Sequence, residues 1–233
     1  MPPDADMPRP KAIVFDLDGT LVDTVDRRIT AWLQAFKEAS IPASRELVSP
    51  LIGSDGHWLA RQVARQAGIE LDDARAEEID ERAGRIYQAL NVDPQPLPGA
   101  RDVLEALTAA GIAWAIGTSS RRDQVRASVD ALALSSEPMI VDGSHVRHAK
   151  PEPDLLLLAA RQLSVSPVDA WCVGDSTFDM RAAVAAGMLA VGVTTGSASR
   201  DVLREAGAFE VLGSLEDLAE LVRRWAAARS SRG

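Results

Sequence analysis

The chain has 233 residues, of which 46% are hydrophobic and 25% charged, with a formal net charge of −9 and a pI near 4.9. That is an ordinary globular composition, sized for one large domain or two modest ones, with no basic patch to hold nucleic acid or an anionic membrane. No apolar run reaches the ~18 residues of a membrane-spanning helix.

Residues 1–10 contain four prolines and no apolar core, so they read as a disordered tail rather than a signal peptide. Ala12-Ile13-Val14-Phe15 then forms a short apolar run that ends in Asp16-Leu17-Asp18-Gly19-Thr20. Such a run predicts a strand buried on both faces, with its acids at the carboxyl end, where open α/β sheets bind ligands. From about residue 24 to residue 90 the pattern is helical throughout. One helix covers about 24–40, a short one covers 46–51, and others start at Leu59 and Ala74. The stretch Gly53 to Trp58 reads as a glycine-bearing loop between them. Asn91 to Gly99 is proline-rich and reads as a semi-rigid connector. Beyond it, predicted strands at 112–117, 139–141, 170–173, 189–193 and 209–211 alternate with helices, which argues for a parallel sheet covered on both faces. The expected organisation is a tail (1–10), a Rossmann-like α/β core (11–22 and 97–233) and an inserted α-helical cap (23–96).

Four predicted strand ends or helix starts carry polar residues suited to phosphoryl transfer: Asp16 with Asp18, Thr118, Lys150, and Asp175 with Asp179. Each alone is weak, but together, in this order, they point to one site. An aspartate such as Asp16 can attack phosphorus and divide one hard step into two through an acyl phosphate. The attack brings anions together, so positive charge is required. Asp16, Asp175 and the backbone carbonyl of Asp18 offer hard oxygens suited to Mg²⁺, with Asp179 one turn further on as a direct or water-mediated ligand. Lys150 is a compact cation for the phosphate and for Asp16. Thr118 and nearby N–H groups can hold a phosphate oxygen, with Ser119 a second donor. Asp18 is spaced to protonate the leaving oxygen and then to deprotonate water. Gly19 permits the sharp turn, and Thr20 can donate to an anion.

These motifs resemble those of the haloacid dehalogenase superfamily. Asp16-Leu17-Asp18-Gly19-Thr20 is similar to its first motif, Thr118 to its second, Lys150 to its third, and Gly174-Asp175 with Asp179 to its fourth. The insertion after the first motif resembles the helical cap of its first subclass. Pro98-Gly99, with Leu104 and Leu107, is similar to the core re-entry of the phosphoglycolate phosphatase and β-phosphoglucomutase relatives. The resemblance implies a mobile cap, Mg²⁺ and an aspartyl-phosphate intermediate.

Within that family, dehalogenases lack the acid equivalent to Asp18. Phosphonate hydrolases need a cap lysine, and only Lys37 lies in this insertion. Phosphoglucomutase relatives carry a cap-loop arginine, whereas here only Arg61 is near. The expected activity is therefore hydrolysis of a small phosphate monoester in the cytoplasm, a compartment that a lone cysteine, Cys172, suits. A mutase and a phosphonatase are alternatives, and a receiver-type phospho-acceptor domain is a non-enzymatic one. Phosphoglycolate, sugar phosphates and nucleotides all remain open as substrates, and so does the oligomeric state. In the cap, His57 and Arg61 are the expected substrate contacts, with Trp58 either an apolar plate or packing. Asp23 reads as a hinge or helix cap, and Glu77, Glu78, Asp80 and Glu81 as a solvated helix face. His145 and His148, just before Lys150, are not expected as metal ligands because hard oxygens already fill the site, and Trp114 and Trp171 read as core.

Overall fold

The computed structural model describes residues 7–230. In chain order its elements are β1 (Ala12–Phe15), β2 (Val22–Asp23), α1 (Val25–Glu38), α2 (Arg45–Val48), α3 (Gly56–Gln66), α4 (Asp73–Leu90), β3 (Gln95–Pro96) and α5 (Ala100–Ala110). There follow β4 (Ala113–Gly117), α6 (Arg122–Ala131), β5 (Ile140–Val141), α7 (Asp154–Gln162), β6 (Ala170–Gly174), α8 (Thr177–Ala186), β7 (Leu189–Val193), α9 (Arg200–Glu205), β8 (Glu210–Leu212) and α10 (Leu215–Ser230). Six strands form one parallel sheet in the order β5-β4-β1-β6-β7-β8. The apolar run that opens the motif region thus lies inside the sheet, flanked by β4 and β6.

Alternation along β1 builds two cores. Ile13 and Phe15 face one layer, with Val103 and Leu107 of α5 and Leu218 and Val222 of α10. Ala12 and Val14 face the other, with Leu155 and Leu156 of α7 and Met180 of α8. Trp171 is 2% exposed and meets Trp225 edge-on at 5.4 Å, as its placement in a strand predicts. Met7 is buried in the first of these cores, so only residues 1–6 of the expected tail fall outside the described residues.

The inserted helices have a third apolar core of their own, with Ile29, Trp32, Phe36, Leu59, Val63 and Ile79 at its centre. The helical spacing of α1 and α3 creates that buried stripe. The two crossings between core and insertion run side by side. Val22 pairs with Pro96 and Asp23 with Gln95 in a two-residue antiparallel ladder, and Leu97 N–H donates to Leu21 O at 2.9 Å. The expected semi-rigid connector therefore contains a short strand. Asp23 lies in β2 and is exposed; the residue at the helix N-cap is Thr24. The short helix predicted at 46–51 is α2 followed by a single 3₁₀ turn, Ser49–Leu51, with Pro50 at its start, where a missing N–H costs nothing. No helix among the described residues is long and apolar enough to cross a membrane.

Candidate active site

The carboxyl ends of β1, β4 and β6 converge with the residues just before α7. Asp16, Asp18, Thr118, Lys150, Asp175 and Asp179 are all buried there. Gly19 makes the turn after β1 with φ +84°, and a Cβ on it would sit 2.6 Å from Val25 and 2.7 Å from Asp175 Oδ2. Only glycine fits both the backbone and the space.

Lys150 Nζ donates to Asp16 Oδ1 at 2.6 Å and lies 2.7 Å from Asp179 Oδ1, with no exposure to solvent. Burial alone would discharge such a lysine, but Asp16 and Asp179 outweigh it and hold the ammonium above its ordinary range. Asp179 is placed by a capping box at the start of α8. Its Oδ2 accepts from Ser176 Oγ at 2.6 Å and Ser176 N–H at 3.0 Å. Thr20 does not face an anion site; it donates to Asp175 Oδ1 at 2.9 Å and fixes that carboxylate.

Asp16, Asp175 and Asp179 each offer an oxygen, and the three oxygens lie within 4.8 Å of one another. Burial pushes Asp16 up to about 7 despite Lys150, and it raises Asp175 well above the carboxylate range, with Asp16 adding to the rise. Asp179 Oδ1 has no aligned hydrogen-bond donor although Lys150 Nζ is close. Three buried carboxylates with one lysine are short of positive charge. A hard oxygen set with one unsatisfied atom fits a small divalent cation such as Mg²⁺.

Asp18 has the opposite surroundings. Its Oδ1 accepts from Thr24 Oγ1 at 2.6 Å and Tyr87 OH at 3.0 Å, and its Oδ2 from Arg28 Nη2 at 2.9 Å and Ser120 Oγ at 2.7 Å. Burial would raise its pKa, but Arg28 and the hydroxyls of Thr24 and Ser120 overcome that and hold the carboxyl below its usual range. Arg28 in turn stacks on Tyr87, with its guanidinium carbon 3.4 Å from the ring centroid, and donates through Nη1 to Gln124 Oε1 at 2.7 Å. Arg28 and Tyr87 belong to the insertion.

Asp18, Thr118 and Asp16 form the floor of a cleft of ≈ 60 Å³, closed from above by Arg28, Trp32, Ile52, Gly53, Leu59 and Asp80 of the insertion. Ser119, also on the wall, donates to Gly53 O at 3.0 Å, and Asp55 N–H donates to Lys150 O at 2.9 Å. Arg121 of the core spans the seam: its Nη1 lies 2.7 Å from Glu77 and its Nη2 3.0 Å from Asp80.

The two cap residues expected at the substrate do not reach the cleft. Asp55 caps α3 by accepting from Trp58 N–H at 3.0 Å, so the predicted loop ends at Gly56 and His57 and Trp58 stand on the first helical turn. His57 points to Glu77, 2.5 Å away, and lies 3.2 Å from Arg121. Arg61, one turn on, pairs with Asp73. Trp58 meets Phe178 of the core edge-on at 5.5 Å. Asp80, read as part of a solvated face, instead lines the cleft, because α4 turns that position toward Arg121. His145 caps its own turn, and His148 lies 3.4 Å from Asp154; neither joins the carboxylates.

A family model described as haloacid dehalogenase-like hydrolase matches residues 13–193. The chain belongs to that family. This hydrolase is 33% identical over 192 residues to β-phosphoglucomutase of Bacillus subtilis, covering 80% of this chain and 84% of that one. It is 32% identical over 218 residues to phosphoglycolate phosphatase 1 of Pseudomonas aeruginosa, covering 90% and 78%. The crystal structure of a hydrolase from Pseudomonas syringae superposes with a TM-score of 0.87 at 31% identity, over 91% of this chain and 98% of that one. The hydrolase is thus an enzyme of the phosphatase and phosphoryl-transfer class.

Proposed function

We propose that the protein is an Mg²⁺-dependent phosphatase that hydrolyses a small phosphate monoester through a phosphorylated Asp16. The observation that supports this most is the pair Asp16 and Asp18: two buried carboxylates two residues apart, one beside Lys150 and the other beside Arg28. Asp16 is the nucleophile. Lys150 steadies its carboxylate and the phosphoryl oxygens, and Thr118 holds a further oxygen; the Ser119 hydroxyl, expected as a second donor, is taken by Gly53 O, which leaves its main-chain N–H for that part. Asp16, Asp175 and Asp179, with the carbonyl of Asp18, would hold the metal. When bound, it supplies the positive charge that lets an anion attack an anion. Asp18 gives a proton to the leaving oxygen and, in the second half of the cycle, takes one from water. Its surroundings favour the ionised form, the one that the second half requires. Gly19 holds the turn that brings Asp18 beside Asp16.

The substrate is small. The cleft, ≈ 60 Å³ with the insertion in this position, suits a phosphoryl group carrying a short carbon skeleton. A small phosphorylated metabolite is therefore the partner, and neither nucleic acid nor a membrane is one. The helical insertion (23–96) acts as the cap, opening about the β2–β3 ladder. The single buried thiol of Cys172 suits a cytoplasmic enzyme. A phosphoglucomutase-like transfer is the second reading, favoured by sequence identity to the Bacillus enzyme; the absence of Arg61 from the cleft weighs against it.

The test is a rapid acid quench with a ³²P-labelled monoester. Label on the peptide carrying Asp16, absent from Asp16→Asn, supports the reading. Steady turnover without any trapped label would remove the covalent step. Asp18→Asn should lose about 10²–10⁴-fold in kcat, least in the first step with a nitrophenyl leaving group.

A further inference from the structure

The cap end of the cleft has every charge answered before a substrate arrives. Arg28 is matched by Asp18 at 2.9 Å. Arg121 is matched twice, by Glu77 at 2.7 Å and by Asp80 at 3.0 Å. At the core end, Lys150 lies beneath the cleft and is matched by Asp16 and Asp179. Neither His57 nor Arg61 brings a spare cation to this wall. Asp80 lines the cleft itself, so an anionic leaving group would meet a carboxylate. It could recruit Arg121 only by separating a cation from two partners and leaving them unpaired.

The remaining surface is of a different kind. Trp32, Ile52 and Leu59 give an apolar wall, and Gln124 adds a neutral amide beside it. Arg28 keeps one buried donor, Nε, without a hydrogen-bond partner. Hydroxyl groups both donate and accept, so they can bond to Asp80, to Gln124 and to an unpaired N–H without adding charge. A C–H face can rest on the indole of Trp32.

We infer that the leaving group is an uncharged hydroxylated carbon skeleton, a short polyol or sugar, and that the cleft rejects monoesters carrying a carboxylate or second phosphate. The inference rests on the phosphatase reading of this site. It assigns Asp80 and Arg121 to substrate selection, by charge.

Glycerol phosphate and phosphoglycerate make a matched test, because they have the same number of carbons and differ by a hydroxymethyl group against a carboxylate. Wild-type kcat/KM should favour glycerol phosphate by about 10-fold or more. Asp80→Asn removes the like charge and loosens Arg121, so it should raise the relative kcat/KM of phosphoglycerate. Arg121→Gln leaves Asp80 and Glu77 unanswered and should shift the ratio the other way. The two variants change charge in opposite directions, so a general loss of folding cannot mimic the pattern. Phosphoglycerate turned over as well as glycerol phosphate by the wild type, or a ratio that neither folded variant moves, would overturn the inference. Nitrophenyl phosphate is the control for the underlying reading. If it and both esters all resist hydrolysis, the phosphatase reading fails and the selection argument falls with it. If nitrophenyl phosphate and phosphoglycerate are hydrolysed but glycerol phosphate is not, only the selection argument falls.

Discussion

The core half of the site and the cap half are held together by different physics. On the core side, Asp16, Lys150, Asp175 and Asp179 hang from strand ends or from a capped helix start, and each is fixed by partners within the core. On the cap side, Arg28, Tyr87, Glu77 and Asp80 are fixed by partners across the seam. The first set does not depend on the insertion, whereas the second exists only while the insertion lies against the core. On the proposed opening of the insertion, the chemistry is built in advance, whereas the contacts that set Asp18 require the insertion to lie against the core.

The largest effect is expected on the core side. Asp16→Asn keeps the shape and the bond to Lys150 but removes the attacking oxyanion. Turnover of nitrophenyl phosphate should fall to background, while circular dichroism and the melting temperature stay near those of the wild type. Wild-type-like turnover by a folded variant would reassign the nucleophile.

Removing the metal is the next step down. In chelated protein Asp16 and Asp175 have raised pKa values, so the folded state holds protons that the unfolded state releases. The stabilising contribution of Asp16 is present below about pH 4 and is lost as the pH rises through about 7, and that of Asp175 is lost in the same direction. Asp18, with its lowered pKa, acts in the opposite sense, but only in more acid solution. The melting temperature in chelator should therefore fall between pH 5 and pH 8, and added Mg²⁺ should restore more of it at pH 8 than at pH 5. A metal effect independent of pH would move the ion away from these carboxylates.

Arg28→Met separates the halves without touching the core. Removing one partner of a buried ion pair costs about 3–5 kcal/mol when the other charge stays buried. Here the cap can open and return Asp18 to water, so the loss in urea unfolding should be well below that range. The missing free energy should appear as faster proteolysis at the β2–β3 neck and a lower kcat. A full loss of global stability would mean that the cap does not open. The smallest effect is expected from Trp58→Ala. An edge-on aromatic pair adds about 0.5–1.5 kcal/mol beyond its buried area, and Trp58 is already 37% exposed. KM should change a few-fold, and nitrophenyl phosphate turnover little.

The core was legible in the sequence because its signals are local. An apolar run followed by acids says where a strand stops, and Gly99, Gly111 and Gly187 mark helix ends through their left-handed backbones. Asp16, Asp18, Lys150, Asp175 and Asp179 meet because parallel strands bring their carboxyl ends to one edge. The cap was legible as helix but not as surface. Helical periodicity gives the buried stripe and leaves open what the other face meets. Asp80 therefore reads as part of a solvated face, and nothing in the local pattern marks Arg28 or Tyr87, until these helices are seen against the core. Asp55 offered the one local sign that His57 belongs to a helix, since an aspartate just before Gly56 is a competent N-cap.

Cys172 carries a consequence for how the fold is measured. It sits in β6 with no exposed surface, between β1 and β7, and burial pushes its thiol well above the ordinary range. Reagents attack the thiolate, so native protein should ignore them. Cap opening does not uncover it, because its neighbours Ala12, Val14 and Met180 all belong to the core. The rate of Cys172 labelling is thus a clock for separation of the central strands alone. It reads global unfolding whether or not the insertion moves, and it needs no engineered cysteine.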